Sequence, residues 1–67
     1  MTDTMELELA IKRAGITKRD IAKRLGISET ALYHKISGEV EFKASEIVKL
    51  KEILHLTNRQ RDEIFFA

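Results

Sequence analysis

With 67 residues, 43% of them hydrophobic, and no cysteine, the chain has material for one small core and for neither a disulfide frame nor a thiolate metal site. Twelve Lys and Arg against eleven Asp and Glu leave a net charge of +1, and no run approaches the roughly 18 apolar residues of a membrane span. A chain this short holds on the order of 3–10 kcal/mol of folding stability, little to spend on a strained catalytic pocket.

The opening "MTDTMELELA" is acidic where a secretory signal would be basic, so the expectation is a cytoplasmic protein. Helix one is predicted from about residue 4 to 14, with Leu7, Ala10, Ile11 and Ala14 on one face and Gly15 as its stop. Helix two starts after Thr17, a capping residue, with Asp20 adding negative charge to the first turn, and ends at Gly26. It has only about eight residues, which is marginal for an isolated helix, so it must pack closely on a neighbour. Ala22 presents no bulk there, and Ile21, Leu25, Ile27, Leu32 and Ile36 supply apolar contacts to the next helix.

Helix three, about 29–37, is capped by Ser28 and stopped by Gly38. Two short helices joined by a turn containing glycine form a helix-turn-helix over about 18–37. The outward face of the second helix holds Ser28, Glu29, Thr30, Tyr33, His34 and Lys35, nearly all of them hydrogen-bonding groups suited to base edges. The link "VEF", residues 40–42, is expected to be a packed loop. Helix four covers about 44–54, with Ile47, Leu50 and Leu54 as its stripe and Val48 and Ile53 widening it. Lys43 stands where a Ser, Thr or Asn cap is expected and gives up a bond worth about 1 kcal/mol. His55 occupies the next stop position, and Thr57 with Gln60 forms a capping box for a last helix reaching Phe65 or Phe66. The prediction is a single all-α domain, 1–67, of five short helices.

Charge is uneven along this plan. Residues 1–8 carry −3, residues 9–38 carry +5 and residues 39–67 carry −1, which concentrates positive field around the helix-turn-helix.

The stretch "TKRDIAKRLGISETALYHKISG" is similar to the helix-turn-helix of the Cro and phage-repressor (XRE-type) family, with Ala in the middle of the first helix, Gly at the turn, and aliphatic residues after the turn and within the second helix. The resemblance extends more loosely to the whole chain, and the ending "LTNRQRDEIFFA" resembles that of small phage and mobile-element proteins of Gram-positive bacteria. The resemblance implies a lambda-repressor-like DNA-binding domain, with double-stranded DNA as partner and transcription regulation, such as that of a repressor, as function. It implies that helix 29–37 enters the major groove, with Glu29, Thr30 and His34 at base-reading sites and Ser28 and Tyr33 beside them. Lys18 and Arg19 would meet phosphates, joined by Lys35 and Lys43, in keeping with the preference of helix N-termini for anions. Lys23 and Arg24 fall among exposed positions and read as a solvated face. Glu29 has two readings: an acceptor for cytosine N4, or a first-turn acid favouring the helix dipole.

The tail is open between two roles. Ile64, Phe65 and Phe66 either fold back to close the core beneath helix one or form a homodimer patch; one Phe is assigned to the core and the other is left open. That tail also motivates an alternative function, a protein-interaction module such as an antitoxin or accessory factor. No Ser/His/Asp grouping, phosphate loop or metal-ligand spacing is present, so no enzyme, cofactor, metal or small-molecule ligand is expected.

Overall fold

Four of the five helices begin where a short polar side chain can take up a free backbone N–H. In the computed structural model, which describes residues 1–67, these are α1 (Thr4–Ala14), α2 (Lys18–Leu25), α3 (Glu29–Ile36) and α5 (Asn58–Phe65). Their caps are Asp3, Thr17, Ser28 and Thr57, which accept from the N–H groups of Glu6, Asp20, Ala31 and Gln60 at 3.0–3.1 Å. Gln60 answers Thr57 with a 2.8 Å bond to its N–H, completing the capping box. The remaining helix, α4 (Ala44–Ile53), starts at Lys43 with no side-chain cap of that kind. Glu46 compensates by accepting from the Lys43 N–H at 2.8 Å.

The stops fall where glycine punctuates the chain. Gly26, at φ 72°, ends α2 in a left-handed conformation. Its N–H donates to the Lys23 carbonyl at 3.2 Å, and Ile27 N–H reaches back to Ala22 at 3.0 Å. His55, at φ 54°, does the same for α4, with Leu56 N–H donating to the Lys51 carbonyl at 2.9 Å. α3 stops at Ile36, one residue short of the expected end, with Ser37 capping it just before Gly38. α4 likewise stops at Ile53, with Leu54 as its C-cap.

The core draws on every helix. Leu7, Ile21, Leu32 and Leu50, one from each of α1 to α4, are enclosed, and Ile64 and Phe65 from α5 close the layer. α2 packs on α3 and α4, α1 packs on α3 and α5, and α4 packs on α5. The 40–42 link is irregular and buries Phe42, whose ring meets Phe65 edge to face at 5.5 Å. The chain ends are tied together: Asp3 N–H donates to the Ile64 carbonyl at 2.6 Å and the Met1 ammonium to the Phe65 carbonyl at 3.3 Å.

Within this packing one expectation fails and another is met. Val48 does not widen the buried stripe of α4; it is 59% exposed, because α4 turns Ile47 and Leu50 inward. Of the two terminal phenylalanines, Phe65 is core and Phe66 is 62% exposed. No helix is long and apolar enough to cross a membrane.

Candidate nucleic-acid interface

α2 and α3 are joined by Gly26, Ile27 and Ser28 alone. Because Gly26 turns the chain left-handed and Ser28 caps α3 at once, no slack separates the two helices. Ile21, Ala22 and Leu25 from α2 and Leu32 and Ile36 from α3 are buried, with Ile27 partly buried against them. α3 therefore has its apolar side sealed and its other side turned to solvent. On that open side Ser28, Glu29, Thr30 and Tyr33 are exposed.

His34 belongs only partly to this face. It is half-buried, its Nδ1 lies 2.9 Å from a Glu39 carboxylate oxygen, and its ring meets that of Tyr33 edge-on at 5.6 Å. Tyr33 helps to line a cleft of about 230 Å³ with Thr4, Glu8, Lys18, Ile36 and Ser37. Tyr33 and Lys18 thus border one depression beside α3.

The cations divide into free, paired and buried. Arg19 and Lys43 are exposed and make no ion pair, while Lys18 is exposed and held by Glu8 at 3.0 Å. Lys23 is exposed and unpaired, and Arg24 bridges to Asp20 within α2 at 3.3 Å. Lys35 overturns its expectation. It is buried, and its ammonium donates to both carboxylate oxygens of Glu46, at 2.6 and 2.8 Å. A group so enclosed and so paired is not free to meet a phosphate, so Lys35 leaves the set of expected phosphate contacts.

Glu46 is buried with it. Burial alone would raise its carboxyl pKa. The hydrogen bond from Lys35, the N–H of Lys43 and the charges of both lysines outweigh that effect and hold it below its ordinary value.

Removing Lys35 changes the field around α3. Its exposed face and the following loop carry Glu29, Glu39 and Glu41 against Lys43, so of the cations expected to meet phosphate, those still exposed stand at the start of α2 and the start of α4. Reasoning from sequence missed the partners Glu8, Glu39 and Glu46. The signal for Glu46 was present, since it stands three residues after an N-cap position, the spacing of a capping box. No group of three or more His, Asp and Glu is placed to hold a metal ion. In comparisons with known proteins, no family model, no curated protein and no solved structure matches this chain.

Proposed function

We propose that the chain binds double-stranded DNA in a sequence-dependent way, laying α3 into the major groove as a small transcriptional regulator would. The observation that supports this reading is the α2–turn–α3 unit itself. A three-residue turn and a sealed apolar side leave the polar face of Ser28, Glu29, Thr30 and Tyr33 open beside the start of α2, where Lys18 and Arg19 stand. Phosphate contacts position such a unit and side chains on the open face discriminate bases. Here Arg19, Lys43 and Lys18, once Lys18 leaves Glu8, are the positioning cations. Thr30 and Glu29 are the discriminating groups, with Ser28, Tyr33 and His34 beside them.

Binding of the full chain to labelled duplexes across a salt series tests this. Three neutralised phosphates predict a slope of log K against log salt near −2.7, from about −0.9 per contact. Arg19→Ala should weaken binding to all duplexes alike, whereas Thr30→Ala should change which duplex is preferred. Equal, sequence-blind losses from both would contradict the division of roles.

A second reading rests on a different surface. Ala44, Ile47, Val48, Arg61 and the exposed Phe66 line a shallow groove between α4 and α5, a shape suited to a protein partner. Binding there would be nearly insensitive to salt and show a negative heat-capacity change.

A further inference from the structure

Three polar ties converge on the C-terminal end of α3 and the loop that follows. The Thr4 hydroxyl donates to the Ile36 carbonyl at 2.7 Å, anchoring the last turn to α1. The Lys35 ammonium spans both oxygens of Glu46 in the first turn of α4. One of those oxygens, Oε1, also accepts from the N–H of Lys43. A single buried carboxylate therefore joins the end of α3 to the start of α4 and brackets the segment 36–42 between its two donors. The main packing neighbours of α3 are α2 and α1; this carboxylate adds a fixed point on α4.

A buried ion pair is weak evidence for stability, because apolar residues of similar volume often serve a core as well or better. What an apolar pair lacks is direction. Two bonds from one ammonium to one carboxylate fix the azimuth and depth of the helix that carries it, while an aliphatic contact tolerates sliding and rotation. Side chains that read a ligand must be held to about half an ångström by a locked supporting layer, and Thr30 and Tyr33 lie within two turns of Lys35 on a helix of only eight residues.

We propose that Lys35 and Glu46 are positioning residues that set the pose of α3 and so determine the sequence discrimination of its open face, without touching DNA themselves. The proposal rests on the DNA-binding reading above. It makes Lys35 a determinant of specificity by a route opposite to phosphate contact. Loss of a phosphate contact weakens binding to every duplex, whereas loss of a positioning group erodes the difference between duplexes.

The test is the double variant Lys35→Met/Glu46→Met of the full chain, compared with the native chain in three measurements: thermal unfolding, amide hydrogen exchange, and affinity for a preferred and a scrambled duplex across a salt series. The expected result is a folded variant with a Tm no lower than native. The amides of Ser37 and Val40, which donate to the Tyr33 and His34 carbonyls, should exchange about tenfold faster as the end of α3 loosens. The ratio of preferred to scrambled affinity should fall about tenfold, the scale of one lost base contact, with scrambled affinity and salt slope unchanged.

An unchanged ratio overturns the proposal, whatever exchange does. A drop in scrambled affinity with a shallower slope overturns it in favour of a direct phosphate contact. If the double variant fails to fold, Lys35→Met/Glu46→Gln, which keeps an acceptor for the Lys43 N–H, carries the same criteria. If the native chain prefers no duplex, the DNA-binding reading fails separately, and unchanged exchange at Ser37 and Val40 then overturns the positioning role by itself.

Discussion

Lys35 shows how one residue can satisfy a sequence pattern and defeat the expectation drawn from it. It stands three residues after Leu32 and directly before Ile36, both buried, so the helical period places it at the edge of the core stripe. A cation on that edge either snorkels to solvent or finds an internal anion. Which one occurs depends on Glu46, eleven residues away, and no local pattern brings the two together. The consequence is a sharp asymmetry in mutants. Lys35→Met or Glu46→Met alone leaves a buried charge unpaired and should cost about 3–5 kcal/mol in chemical unfolding, while the double variant should be neutral or more stable. The pair also fixes a pH dependence. The Glu46 carboxyl lies below its ordinary value of 4.5 in the folded chain, so its contribution is fully present above about pH 4.5 and is lost as pH falls through the lower folded value. Unfolding followed from pH 6 to pH 3 should show a steeper loss of stability in the native chain than in the double variant; parallel curves would mean that the carboxyl is not held down by its lysines.

At the scale of the elements, most of the architecture was legible because each helix carries its own boundary chemistry. Thr17, Ser28 and Thr57 cap as their residue types predict, and Gly26 and His55 take the left-handed conformations assigned to them. The start of α4 was legible only by half, since Lys43 lacks a capping side chain and the compensating Glu46 is visible only with its N–H partner in place. Val48 was misjudged for a general reason: a hydrophobic residue beside a buried one widens a helix stripe only where a neighbour covers it. The shortest helices should depend most on their ends. Thr17→Ala should destabilise by about 1 kcal/mol. Gly26→Ala should cost about 1–2 kcal/mol from backbone strain at φ 72°, although its added carbon would meet nothing within 4 Å. Denaturant midpoints check both, and a Gly26→Ala protein as stable as native would mean that the turn relaxes to a conformation other than the left-handed one.

The whole molecule closes on itself at Phe65. Its ring packs on Phe42, its carbonyl receives the Met1 ammonium, and the preceding carbonyl, from Ile64, receives Asp3. Phe65→Ala should therefore cost about 3–5 kcal/mol, a large part of what a domain of this size holds, whereas Phe66→Ala should stay within about 0.5 kcal/mol in the isolated chain. Calorimetry of the two variants separates them directly. Function lies at this same scale, because the field that meets a polyanion is a property of the whole surface. Sequence placed seven cations in residues 9–38. The fold buries one, pairs Lys18 and Arg24, and leaves Glu29 exposed on α3 and Glu39 and Glu41 exposed in the loop after it. The linear charge map could not show this, since it depends on which carboxylates fold back onto which lysines. Under the proposed DNA-binding function, such a surface would favour discrimination over raw affinity: few phosphate contacts, and carboxylates that repel a duplex unless a base edge supplies a donor.

The central claim, that the open face of α3 reads base sequence, is tested most directly by selecting duplexes from a random pool with the full chain at about 150 mM salt, near physiological ionic strength. The account predicts recovery of a short defined motif whose preferred bases change when Thr30→Ala is used in place of the native chain. Recovery of no motif, or of the same motif with Thr30→Ala, Glu29→Ala and Tyr33→Ala alike, would contradict it.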